Sequence, residues 1–223
     1  NPLTLEIDHC EFVDNRISPD PVTLPDKSGF GGAVYFSSSL PAYPGTLKLK
    51  HCLFDTNQAL SNRDAAQFRA EGSAVFVKNS HVLVEDCNFT DNLAASESFT
   101  AGGALVIQGS PSVAEVRRCT FRRNSGGTEG IAALVCDTYP VTDPDSSAVS
   151  LLLEDSHFEG NDGLALMLAD AGHYPDATSN IRNTTFVDNS GRRDSAIRAY
   201  LDYGNVNVTH CTIWNNTHTE QTG

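Results

Sequence analysis

Apolar and polar residues alternate with a period of two in short runs, and the runs return at intervals along the chain. Leu3-Thr4-Leu5-Glu6-Ile7, Thr46-Leu47-Lys48-Leu49, Val82-Leu83-Val84, Val113-Ala114-Glu115-Val116, Ser150-Leu151-Leu152-Leu153, Asn180-Ile181-Arg182 and Val206-Asn207-Val208 belong to one set. This alternation predicts strands with one buried face. A second set opens on small residues: Gly31-Gly32-Ala33-Val34-Tyr35-Phe36, then 72–77, 102–107, 131–136, 164–168 and 196–200.

A third pattern follows each alternating run and reads C-x-F-x-x-N. Its copies are Cys10 to Asn15, Cys52 to Asn57, Cys87 to Asn92, Cys119 to Asn124, Ser156 to Asn161, Thr184 to Asn189, and Cys211 to Asn216 with Ile213 in the Phe place. The closing asparagines of these seven copies are 42, 35, 32, 37, 28 and 27 residues apart, the mark of a repeat protein with insertions.

Three short strands per repeat, with no helical period between them, cannot build a βαβ unit. They can coil, each strand pairing with its equivalent one turn on. The expected fold is all-β: a right-handed parallel β-helix, a three-sheet solenoid of about seven coils, forming a single unit over residues 1–223. At about 4.8 Å per coil the rod is roughly 30 Å long.

Stacking gives meaning to the repeated residue types. Cys and Phe of C-x-F are two apart and point inward together. Cys10, Cys52, Cys87, Cys119 and Cys211 then form a column of small buried thiols, with Ser156 and Thr184 in the same slot. Parallel side chains in register aim badly for bridging, so a reduced column is expected. Cys136, on another strand, reads as a further buried thiol. Phe12, Phe54, Phe89, Phe121, Phe158 and Phe186 form an aromatic stack. Asn15, Asn57, Asn92, Asn124, Asn161 and Asn189 sit at a bend, where inward amides can bond their neighbours above and below and tolerate left-handed backbone.

The spacers predict loops. One set (16–30, 58–71 and 93–101) leaves one edge of the prism, and another (37–45, 137–148 and 169–178) leaves a second edge. Loops on one edge of a rigid scaffold are where binding surfaces are commonly built.

The pairing of G-G-A-[ILV] with F-x-x-N resembles the repeat signature of the chlamydial polymorphic outer-membrane proteins, and more broadly of secreted right-handed parallel β-helix, pectin-lyase-like repeat proteins. Gly31-Gly32-Ala33-Val34 and Gly102-Gly103-Ala104-Leu105 match the first motif, Gly72-Ser73-Ala74-Val75 nearly so, and F-x-x-N occurs six times. The resemblance implies a β-helical passenger of an autotransporter-type adhesin, extracellular or on the cell surface.

Composition narrows the partners. The net charge of −13, with four lysines, argues against nucleic acid and against docking on an anionic membrane. No apolar run of 18 residues occurs, so no direct membrane insertion of this segment is expected. The opening Asn1-Pro2 lacks an initiator Met, and the chain reads as a piece of something longer.

Candidate chemistry is sparse. Polysaccharide lyases and glycoside hydrolases of pectin-lyase-like fold need clustered carboxylates on one sheet. The outward place of C-x-F reads Glu11, Leu53, Asn88, Thr120, His157, Thr185, Thr212, with no acid pair on adjacent coils. The residue before the phrase reads His9, His51, Asp86, Arg118, Asp155, Asn183, His210; there His9 and His51 stack with Asp86 following, a conceivable metal site but more simply a solvated bend. Asp14, Asp91 and Asp188 at bends, and three aspartates in 137–145, raise calcium, yet no G-G-x-G-x-D nonapeptide occurs. No cofactor is expected. Four N-x-[ST] sequons, at Asn88, Asn183, Asn207 and Asn215, are possible glycosylation sites. The resulting expectation is a non-enzymatic scaffold presenting loops to a protein or glycan partner, with further β-helix coils or another chain at its ends; the alternative is a carbohydrate-active enzyme.

Overall fold

The computed structural model describes residues 3–18, 29–38, 44–61, 70–95, 102–109, 113–126, 130–137, 150–170, 178–191, 194–201 and 204–218. Every strand pair among them is parallel, and strand order within each large sheet follows chain order. The chain is a parallel β-helix.

The alternating runs form the first sheet: Thr4–Asp8, Gly45–Lys50, Ser80–Glu85, Val113–Arg117, Ser150–Glu154, Thr178–Arg182 and Asn205–Thr209. The C-x-F phrases form the second: Glu11–Val13, Leu53–Asp55, Asn88–Thr90, Thr120–Arg122, His157–Glu159, Thr185–Val187 and Thr212–Trp214. The small-residue runs lead into the third: Val34–Ser37, Val75–Lys78, Leu105–Gln108, Ile131–Asp137, Leu164–Asp170 and Ile197–Leu201.

A fourth, thinner stack departs from the expectation that the chain loops out directly after the closing Asn. Arg16–Ile17, Gln58–Leu60 and Leu93–Ala95 pair in parallel, bridges through Ser125 and Asp162 reach Ser190, and Ser190–Gly191 pairs with Thr217–His218. Ala59 and Ala94 are buried there, so the first residues of the supposed insertions are part of the coil. Gly29–Phe30 likewise pairs with Ala70–Glu71. The remainder of both loop sets, including most of 137–148, lies outside the described residues.

Two bends recur with left-handed backbone. Between first and second sheets stand His9, His51, Asp86, Arg118, Asp155, Asn183 and His210, with φ between 48° and 54°. Between the second sheet and the closing Asn stand Asp14, Thr56, Asp91, Arg123, Gly160, Asp188 and Asn215, with φ of 51–60°. The left-handed residue is thus the one before the closing Asn, not the Asn itself. The side chain of the Asn must turn inward from an ordinary conformation, and the residue ahead of it takes the strain. Gly31 and Gly72, at φ +67° and +64°, turn the chain into the third sheet; a Cβ there would lie 2.4 Å from the carbonyl oxygen of Val34 or Val75.

The core runs the length of the prism. Leu47, Leu49, Val84, Val116, Leu153 and Ile181 from the first sheet meet Phe54, Phe89, Phe121, Phe158 and Phe186 from the second and Val77, Ile107 and Leu134 from the third. The third sheet is buried on its other face too, where Phe76, Val106 and Val135 form a second apolar cluster with Ile131 and Leu164. Continuous apolar runs such as Leu105-Val106-Ile107 are what a strand covered on both sides requires.

Candidate functional site

Three inward columns are built by identical or similar residues one coil apart. The phenylalanines stack face to face from Phe12 to Phe186, with centroids 4.7–5.0 Å apart and planes within 13° of parallel. Register forces this: Phe12, Phe54, Phe89, Phe121, Phe158 and Phe186 are direct partners across the second sheet, and Ile213 follows.

The asparagines form a continuous amide ladder. The backbone N–H and the Nδ2 of Asn15 both donate to Asn57 Oδ1, those of Asn57 to Asn92, and so on through Asn124, Asn161 and Asn189 to Asn216. From Asn57 onward each Nδ2 also donates to the carbonyl of a Phe one coil back, as Asn92 does to Phe54 at 3.0 Å. All the bonds from one asparagine onto the Oδ1 of the next point the same way, so the ladder has polarity. Among the described residues Asn15 Oδ1 has no donor and the Asn216 N–H no acceptor.

All six cysteines are free thiols. In the column, each Sγ donates to the carbonyl two residues back, as Cys52 does to Lys50 at 3.0 Å and Cys119 to Arg117 at 3.1 Å. Ser156 and Thr184 make the same bond at 2.7 and 2.9 Å. The slot therefore selects a small donor, which explains why Ser and Thr substitute for Cys. Burial pushes the Cys52 thiol up, and a hydrogen bond with Cys119 together with burial pushes Cys87 far up, so neither ionises near neutrality.

The polar chemistry sits outside, at the bend between the first and second sheets. Register there places His9, His51, Asp86 and Arg118 on successive coils. The His9 and His51 rings stack with centroids 4.5 Å apart at 24°. Asp8, the last residue of the first strand, reaches both: its Oδ1 lies 2.9 Å from Nδ1 of His9 and 2.9 Å from Nδ1 of His51. The hydrogen bond from His51 holds the Asp8 carboxyl below the usual range, partly opposed by desolvation. Nε2 of His51 comes within 3.8 Å of Asp86 Oδ2. Asp86 is gripped by Arg118, whose Nε and second terminal nitrogen donate at 2.8 and 2.9 Å. That fork depresses the Asp86 carboxyl and raises the guanidinium. Farther along, Asn183 Nδ2 donates to Asp155. His210 stands apart from this group, at the last coil.

The pair His9 and His51 was visible in the repeat alignment; Asp8 was not. It falls one place outside the aligned column, and only the left-handed bend brings its carboxylate between the two imidazoles. Asp14, Asp91 and Asp188 do not converge: they lie on the first, third and sixth coils, Asp91 is forked by Arg123 at 2.8 and 2.6 Å, and Asp188 accepts from Asn215. The first sheet carries a charged row beside the bend. Asp8, Lys50, Glu85, Arg117, Glu154 and Arg182 are successive register partners of alternating sign. Glu154, nearly buried, lies between Arg117 at 3.2 Å and Arg182.

The sequons are on the surface. Asn88 is exposed on the second sheet; Asn183, Asn207 and Asn215 are exposed as well, but their amides bond Asp155, Asn180 and Asp188.

A protein-family profile described as right handed beta helix region matches residues 66–221. The chain belongs to the right-handed β-helix family. No curated protein matches it, and no solved structure does. Among the described residues, Asp8, His9 and His51 at the solvent-facing bend are the one group of three potential metal-ligating side chains whose donor atoms come together.

Proposed function

We propose that this β-helix is a non-enzymatic scaffold module of an extracellular or cell-surface protein, presenting its edges to a protein or glycan partner. The observation that carries this reading is the engagement of the outer acids. Asp86, Asp91 and Glu154 are each held by arginine from an adjacent coil, so charged groups that could serve a substrate serve coil cohesion instead. The exposed Asn88 sequon and the resemblance to adhesin repeats favour an outside location. The ends support an assembly role. Leu3, Leu5, Val13 and Ile17 on the first coil, and Val208, Ile213 and Trp214 on the last, are exposed. With the unfilled Asn15 acceptor and Asn216 donor, these ends are complementary to a further coil or another chain.

Glycan-array and cell-binding assays of the purified chain test the partner class, with saturable binding to one class expected. Expression through a eukaryotic secretory pathway tests surface access: a glycan on Asn88 is expected before one on Asn183, Asn207 or Asn215. Turnover of acidic polysaccharide, with or without calcium, that is lost on replacing Asp86 or Arg118 would instead favour a carbohydrate-active enzyme.

A further inference from the structure

We propose that Asp8, His9 and His51 bind a divalent transition-metal ion of the zinc class, which ties the first coil to the second. Their ligand atoms, Asp8 Oδ1 and one ring nitrogen of each histidine, lie within 4.8 Å of one another. Asp8 Oδ1 is already 2.9 Å from both Nδ1 atoms. A tetrahedral ion at about 2.0–2.1 Å from each nitrogen sets ligand separations of about 3.3 Å. The two Asp8-to-nitrogen separations would widen by a few tenths of an ångström, and the two imidazole nitrogens, within 4.8 Å of each other, would come to the same spacing. All three groups are exposed at a bend, so a small carboxylate rotation meets no packing.

The donor set decides the ion. Two imidazoles and one carboxylate suit zinc, nickel or copper, whereas calcium and magnesium take oxygen ligands. Three protein ligands leave a fourth position to water or to a partner's group.

The surroundings point the same way. An imidazole bound to metal commonly donates its other ring N–H to a carboxylate, which fixes the ring. Nε2 of His51 faces Asp86 at 3.8 Å, and Asp86 is immobilised by the Arg118 fork. The chain thus supplies ligands, orienting carboxylate and anchor over four consecutive coils. A coordinating Nδ1 must be unprotonated with the ring proton on Nε2, so a ring that carries its proton on Nδ1 exchanges it through solvent for one on Nε2, and the contacts to Asp8 would give way to metal bonds.

Titration of the full chain with Zn2+ by calorimetry, and with Co2+ by visible absorption, tests this. One ion per chain is expected, with a cobalt spectrum of nitrogen and oxygen ligation lacking thiolate charge transfer. His9→Asn and His51→Asn keep a residue that tolerates the left-handed backbone, as Asn183 does in the same column. Each is expected to weaken binding about tenfold or more, and the double variant to abolish it. Amide exchange at the bonds His9 N–H to Lys50 O and Leu53 N–H to Cys10 O is expected to slow with zinc. His210→Asn, on the distant coil, leaves binding unchanged. No binding, binding unaffected by the double variant, or thiolate bands in the cobalt spectrum would overturn the proposal. Calcium competing on equal terms would overturn it as well.

Discussion

Asn92 donates to Asn124 twice: its backbone N–H and its Nδ2 converge on a single Oδ1, at 3.1 and 2.9 Å, with both residues fully buried. Asn124→Ala removes that acceptor and also the donor to Phe89 O at 2.9 Å. Four buried groups lose a partner, the Asn92 N–H and Nδ2, Phe89 O and Asn161 Oδ1, of which Asn92 Nδ2 and Asn161 Oδ1 keep another. At about 1–3 kcal/mol for each group left bare, partly relieved by relaxation, the loss is about 4 kcal/mol. Urea denaturation is expected to show a lower midpoint. Asn124→Asp keeps an acceptor but places an unpaired charge opposite Phe89 O, so it is expected to be no better tolerated above the carboxylate range.

Phe89 lies in the middle of the ring stack, 4.8 Å from Phe54 and 4.7 Å from Phe121. Phe89→Ala is expected to cost about 3–5 kcal/mol, because the fixed coil spacing prevents the walls from closing on the cavity. Phe12→Ala, at the half-buried end of the stack, is expected to cost clearly less in the same denaturation assay.

Arg118 lowers the Asp86 carboxyl, so the folded value lies below that of the unfolded chain, about 3.9. Unfolding then takes up a proton in acid. The contribution is whole above the unfolded value and drains away as pH falls through the folded one. Carboxyl titration by NMR is expected to find Asp86 below the ordinary range in the native protein and nearer to it in Arg118→Gln. The variant is also expected to lose less stability on acidification below about pH 4.

Cys52, Cys87, Cys119 and Cys136 are buried, whereas Cys10 and Cys211 in the end coils are partly open. Native alkylation read by mass spectrometry is expected to modify Cys10 and Cys211 first. Uniform modification of all six without unfolding would contradict a stable column.

The columns were legible because register repeats them: residues at the same place in C-x-F-x-x-N had to stack once the chain coiled. Three things were not legible, for physical reasons. The thiol slot looked apolar, yet its bond to the carbonyl two residues back makes it a donor site, a fact visible only in why Ser156 and Thr184 fit. The stretch that pairs after each closing Asn is one to three residues long, too short to show a period. Asp8 joins His9 and His51 through bend geometry, and no spacing rule reports which way a carboxylate swings from a strand end. The covered outer face of the third sheet did leave a trace, in the unbroken apolar runs around Phe76, Val106 and Val135.

The row Asp8, Lys50, Glu85, Arg117, Glu154, Arg182 has a consequence for how such a molecule can change length. Excising the single turn that carries Glu85 would set Lys50 against Arg117, cation beside cation. Excising two adjacent turns would restore opposite signs across the junction. Gain and loss of turns is thereby subject to a parity rule, and deletions of even number are the ones this fibre-like body can absorb.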